Sequence, residues 1–348
     1  LYYVTVYDAE GRRIDRIGVP EDPSNVTFAG RDKRTLIITA RTSLYGVRLA
    51  TLEEQRRRIA QFRPYERPSQ PIGTGRGIFP GRVAWVHDPA AACWDGSDTR
   101  AWWWSNSIDH AAVTRMLADG VRELTGARDT RAAWRRLFLY HNATRRGLRR
   151  GYAPGERIVI KANFVNSMQS YDTPGGHVSV GPQVLYGLLQ QLVEYASVVP
   201  SNITVFDSIT LVDDHVIGYC TGAFPHVRFA DKRGEFGRER AVADPGAPIC
   251  FAAARGRVSY LPRCVSEASY MINLALLKTH QIGGMTVCAK NHFGSFCDIP
   301  AFLHHAIDAY EPPRQKATPL VEFTGHPHLG GKTILYMIDA IYGGEGWE

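Results

Sequence analysis

Two lysines and two histidines, Lys278, His280, Lys290 and His292, fall within fifteen residues of the stretch INLALLKTHQIGGMTVCAKNHFGS, with Asn291 among them and Gly283-Gly284 in between. Ammonium and imidazole groups bracketing a glycine turn can hold an anion through charge-assisted hydrogen bonds and backbone donors. Imidazoles also ligate metals, and His280, His292, His304, His305, His326 and His328 put six of the twelve histidines in the last quarter of the chain. No spacing matches H-E-x-x-H, so anion binding, a divalent metal and a purely structural role all stay open. Lys278 and Lys290 carry the most weight, because an ammonium buried at the end of an apolar strand needs a partner or a shifted pKa.

A second set of polar residues follows apolar runs: Lys161 and Asn163 after RIVI, Asp207 and Ser208 after NITVF, Asp231 after HVRFA, Asn273 in SYMINL and Asp339 after ILYMI. Ligands of open parallel sheets gather at the carboxyl ends of strands. Singly, each of these reads as a helix cap or turn former. Together they suggest a site for an anionic small molecule. Lys278, His280 and Lys290 are the candidate catalytic residues, and Lys161, Asn163, Asp207, Asn291 and His292 the candidate binding residues. Lysines would neutralise the anion, and a histidine would act as general acid or base, or as a ligand.

Other motifs fail on inspection. GHPHLGGKT, from Gly325 to Thr333, lacks the glycine spacing of a phosphate loop, and its lysine leads into an apolar β-rich run where a phosphate loop would open a helix. Its histidines, expected at the opposite edge of the sheet, are secondary candidates. GTGRGIFPG precedes a strand, which excludes the dinucleotide fingerprint, and no G-x-S-x-G elbow is present. Trp102-Trp103-Trp104 can be a sugar or base platform, or simply packing.

The elements that must position these residues follow a strand, helix, strand rhythm from RIVIKANF onward. This predicts an α/β fold, a mostly parallel sheet with helices on both faces. Helices are expected over Ser107 to Thr125, around Trp134 to Phe138, from Pro182, and over Asp213 to Cys220. Strands are expected at RVAWVHDP, NITVFDS, HVRFAD, RVSYLP, SYMINLALL and KTILYMIDAI. Residues 1–50 alternate as an antiparallel meander of about four strands, one propeller-like blade, with turns at Ala9-Glu10-Gly11 and Gly30-Arg31-Asp32. Residues 51–71 read as a linker, and 72–348 as the α/β domain. The chain is expected to be a fragment, cut at its C-terminus and lacking upstream blades and any targeting region, which leaves its localisation unassigned.

Bulk composition narrows the classes. The formal charge of +7 in 348 residues comes largely from arginines between Arg56 and Arg150, and it reads as a solvated basic helix face with no nucleic-acid partner. The six cysteines form no C-x-x-C, so neither a zinc ribbon nor an iron–sulfur cluster is encoded, and the cofactor stays unknown. No run of about 18 apolar residues is present for a membrane segment.

The motifs IVIKANF, ITVFDS, INLALLKTH and VCAKNHFGS, in this order, resemble the family catalogued as domain of unknown function 362. Members share an IKPN-like strand end, a strand ending in Asp, an IN-x-P-x-x-KTH segment and a KN-x-FG turn. The resemblance covers roughly residues 72 to 348 and implies a shared fold and polar edge without a general reaction. Ala162 and Ala275 stand where the pattern has prolines, and the iron–sulfur segments of some relatives have no counterpart here. Residues 19 to 45, VPEDPSNVTFAGRDKRTLIITARTSLY, resemble the last blade of the gluconolactonase and regucalcin-like propeller family. That resemblance implies an upstream propeller domain of the same chain as a partner. It also implies a lactone hydrolase fusion in which the α/β domain is accessory, while the tryptophans leave open a non-enzymatic carbohydrate-binding module.

Overall fold

The computed structural model describes residues 2–7, 13–29, 34–49, 75–94, 96, 100–164, 170–171, 179–280, 284–298, 303 and 318–344. The expected linker at 51–71, the turn at Asp32 and the pair His304 and His305 lie outside the described residues. The chain divides into two compact units, Leu1–Thr74 and Gly75–Glu348.

Among its described residues, the first unit contains five antiparallel strands. β1 (Tyr2–Tyr7) pairs with β2 (Arg13–Val19), and β3 (Pro23–Ala29), β4 (Thr35–Ala40) and β5 (Leu44–Arg48) form a separate three-stranded sheet. The single four-stranded sheet expected here is therefore replaced by a pair and a triplet. Pro20 and Pro23 flank the break, and proline supplies no donor for a continuing ladder. Val19, Leu36 and Ile38 form its small core.

In the second unit, parallel strands run in the order β14 (Thr333–Gly344), β12 (Tyr270–His280), β6 (Ile158–Ala162), β7 (Ile203–Phe206), β8 (Arg228–Asp231) and β9 (Glu239–Arg240). A short antiparallel strand, β13 (Gly284–Thr286), folds back on the carboxyl end of β12. The β6 strand is buried at all five positions, as its unbroken apolar run requires.

The cover is asymmetric. Ile158 and Ile160 face a core shared with four helices: α1 (His110–Thr125), α2 (Thr130–His141), α3 (Pro182–Gln190) and α4 (Asp214–Thr221). Val159, on the other face, shares a core with the hairpin β10–β11 (Ala243–Phe251 and Arg257–Pro262), with Phe293 and Phe296 just after the short helix α5 (Cys288–Asn291), and with the short helix α6 (Pro319–Gly325). Local signals explain the main helices. Asp109 and Asp129 cap α1 and α2 by accepting from Ala112 N and Ala132 N, each at 2.8 Å, and Gly126 ends α1 in the left-handed region.

One expected strand is absent. RVAWVHDP is extended, with Val83 and Trp85 pointing outward at 86% and 88% exposure, and it pairs with no strand among the described residues. Its inward Val86 lies beside Gly120 of α1, so its alternation reflects a half-buried ribbon on a helix and not a sheet.

Strand order fixes where a ligand crevice belongs. From β6 the chain winds outward through α3, β7, α4 and β8, whereas from β12 it winds the other way to β14. Between β6 and β12 the direction reverses, and the carboxyl ends of such a strand pair open onto a crevice.

The helix face has its own buried carboxylate. Asp339 of β14 accepts from Gly181 N at 2.7 Å and Ile341 N at 3.1 Å, tying the last strand to the start of α3. Burial pushes its pKa up to about 6, against the pull of those two amides. A raised carboxyl pKa adds stability that is full below the ordinary value near 3.8 and is lost as pH rises through about 6. Asp339→Asn removes the charge but keeps one acceptor for two amides, so it should cost stability at pH 4.5 and stand about 1–2 kcal/mol better against the parent at pH 7.5 than at pH 4.5, part of the 1.36 kcal/mol carried per pKa unit. Thermal unfolding at both pH values checks this; an equal shift at both would show that the carboxylate is not being ionised against burial.

Candidate functional site

Lys161 of β6 and Asn273 of β12 are register partners across the reversal point. Alternation along each strand sends both toward the hairpin-covered face, since their neighbours two residues back, Val159 and Met271, belong to that core. Both are fully buried.

An unpaired ammonium there would be prohibitive, and Lys161 is fully satisfied. Its three donors reach Asp207 Oδ2 at 2.9 Å, Asn291 Oδ1 at 3.0 Å and the Ala162 carbonyl at 2.5 Å. Burial lowers its pKa and the Asp207 charge opposes that. Asn291 returns the contact by donating Nδ2 to the Lys161 carbonyl at 3.0 Å and Asn273 Oδ1 at 2.9 Å. Asn273 in turn donates Nδ2 to Cys288 O at 2.9 Å and approaches His292 Nε2 at 3.0 Å. An amide nitrogen only donates, so His292 Nε2 is the acceptor and Nδ1 carries the hydrogen, which it offers to Ser295 Oγ at 3.2 Å. Burial, then Lys161 and His326, push the His292 pKa down to about 3, and the ring is neutral.

The turn that follows α5 caps this network. Ser208 N donates to Gly294 O at 2.8 Å, and a Cβ on Gly294 would sit 2.8 Å from Lys161 Cε and Nζ and overlap Asp207 Oδ1. Only glycine lets the backbone lie on the ion pair. Lys161, Asp207, Asn273, Asn291 and His292 thus form a closed polar scaffold in which each side chain holds another.

The remaining basic groups stand at its rim. Lys278 and His280, each 6% exposed, come from the end of β12, and the half-buried Lys290 comes from α5 with its ammonium 3.6 Å from the centre of the Phe293 ring. They are near enough to disturb one another. Burial, then Lys278 and Lys161, hold the Lys290 pKa down to about 7; burial, then Lys290 and Lys278, hold His280 down to about 4; burial lowers Lys278. An anion at this rim would relieve the repulsion between the like charges. A neutral His280 beside two lysines can accept a proton from such a ligand.

The other sequence candidates lie elsewhere. Asn163 is half-buried just past β6, and its carbonyl accepts from Val180 N. Asp231 shapes a turn by accepting from Arg233 N at 2.9 Å and Gly234 N at 2.7 Å. Lys332, at the start of β14 and so at the opposite edge, donates to the carbonyls of Val265 and Ser266 at 2.9 and 2.7 Å. His326 Nε2 donates to Pro248 O at 3.3 Å, and its Nδ1 accepts from His328 N. Trp102 is buried and Trp103 stacks on His215 at 4.1 Å, which leaves Trp104 as the exposed ring of the three. Ser295 and Gly294 complete the network and were not among the residues singled out from the sequence. Their signal was the KN-x-FG turn itself.

Among the described residues, no three His, Cys, Asp or Glu side chains gather to hold a metal. Burial pushes the Cys288 thiol up to about 12, so it stays protonated. No helix of the described residues is long and apolar enough to cross a membrane.

A family model described as Domain of unknown function (DUF362) matches residues 158–348, more than half of the chain. The match begins on the first residue of β6 and takes in every member of the scaffold and the rim. No curated protein matches the chain.

Proposed function

Given that the chain belongs to the DUF362 family, we propose that its strand-end site binds a small anionic molecule, with Lys278 and Lys290 holding the charge and His280 placed for proton transfer. The observation that carries this reading is the closeness of Lys278, His280 and Lys290 to one another at the carboxyl end of β12, with Lys290 near enough to Lys161 to feel its charge. Beside them, Lys161, Asp207, Asn273, Asn291 and His292 hold one another through the scaffold's hydrogen bonds.

The Lys278→Met/Lys290→Met variant tests it, with sulfate and citrate as probes by calorimetry. Charge-assisted hydrogen bonds contribute about 1.5–3 kcal/mol each, so losing two should weaken binding by at least about a hundredfold. Urea unfolding should stay cooperative. Unchanged affinity for both probes would remove the site.

A second reading takes the antiparallel strands of the first unit as part of a lactonase-like propeller, although they pair as two and three strands and not as one four-stranded blade. Three buried side chains make a small core, and a blade needs neighbours to cover its faces. Lactonase activity of the full-length protein that survives deletion of residues 75–348 would transfer the function to that propeller. The carbohydrate reading has less support, because Trp102 is buried and Trp103 already stacks on His215.

A further inference from the structure

The opposite edge of the sheet carries a separate cleft. Residues 110–157 hold eleven arginines against four carboxylates, a surplus of seven that equals the net charge of the whole chain. Within this stretch, Arg131, Arg135 and Phe138 of α2 wall a cavity of about 340 Å³. Its other wall is Tyr152, just before β6, and Tyr195 to Ser197, which lead toward β7. A volume of this size lies in the range of small-ligand pockets.

The polar groups in it are poised for a guest. Arg131 has given Nη2 to the Glu194 carbonyl at 2.9 Å, while the exposed Arg135 guanidinium meets no acceptor among the described residues. Tyr195 is 39% exposed, and Phe138 and Tyr152 pack together behind it with ring centres 5.4 Å apart. The helix that presents Tyr195 is also irregular. It widens over Gln191–Tyr195, where Ala196 N donates to Gln191 O, and Ser197 then turns back in the left-handed region. Such widened turns recur at functional sites.

We infer that this cleft is a second ligand site, for a small phosphate ester carrying a flat ring. Arg135 and Arg131 take the phosphate, for which a planar guanidinium fork is suited, and Tyr195 takes the ring. The site is independent of the lysine rim, which lies at the other end of the strands.

The test titrates adenosine monophosphate, phenyl phosphate, inorganic phosphate and adenosine into the full chain carrying Lys278→Met and Lys290→Met, so that the rim cannot contribute. One-to-one binding of the two ring-bearing phosphates is expected. Arg135→Gln should weaken both about tenfold or more. Tyr195→Leu should weaken both several-fold and leave inorganic phosphate unchanged. Thermal unfolding of the two variants should match the parent, since both side chains are exposed. Absence of saturable binding below millimolar concentrations, or equal binding by Arg135→Gln, overturns the inference. So does a preference for single-stranded oligonucleotides spanning many residues over the mononucleotide.

Discussion

Asp207→Ala should lower the unfolding free energy by about 3–5 kcal/mol, because it leaves the Lys161 ammonium buried without its counter-charge. The side chains of the pair are 1% and 4% exposed, so water cannot step in. Gly294→Ala attacks the same point from above. Gly294 does not need the left-handed region, so its effect is steric: the added methyl falls on the ion pair, and overpacking of this kind costs about 1–3 kcal/mol. Replacing both charges, with Lys161→Met and Asp207→Leu, should recover much of the loss, since a buried pair is worth little against well-packed apolar groups. Urea midpoints of the three variants measure this directly. An Asp207→Ala protein within 1 kcal/mol of the parent, a threshold typical of surface pairs, would show that the pair is not desolvated.

The second large effect is a pH profile. Lys290, held down to about 7, is protonated below that pH and increasingly an uncharged amine above it. Sulfate keeps its charge throughout this range. Its affinity should be highest below pH 7 and fall by up to about tenfold per pH unit above it, until the raised pKa of the bound state is reached. The ligand-free protein should move the opposite way. Between about 7 and the ordinary lysine value near 10.5, the folded state binds fewer protons than the unfolded one, so this group makes stability rise with pH. Lys290→Arg separates charge from proton release. Arginine stays protonated, so the variant should keep a salt-dependent affinity and lose the decline above pH 7. A decline that persists in Lys290→Arg would assign the titration to another group.

Much of the fold could be read from apolar runs, and the reason is physical. IVIKA, ITVF and INLAL are buried on both faces, so burial and sequence pattern coincide in them. RVAWVHDP misleads because a ribbon lying on a helix alternates like a strand at a sheet edge. The polar candidates were harder to sort. Lys161 and Asp231 look alike on paper, each a charged residue near the end of a strand, yet one joins the reversal point and the other closes a local turn. What separates them is the strand order, which depends on pairings such as Lys161 with Asn273 and leaves no periodic trace in the chain. His292 and His280 are also indistinguishable by type. Only the hydrogen bonds at both ring nitrogens make the first a structural member of the network.

The polar scaffold has a consequence for how the protein is made. Lys161 meets Asp207 forty-six residues further along and Asn291 one hundred and thirty residues further along. At typical synthesis rates of about 5–20 residues per second, the lysine waits on the order of ten seconds for its last partner to leave the ribosome. Until then β6 presents a cation short of a partner and an uncovered apolar face, and contacts this distant in sequence close slowly. The nascent chain is therefore most exposed to aggregation before β12 and β14 arrive, and the binding rim forms only when the sheet itself is finished.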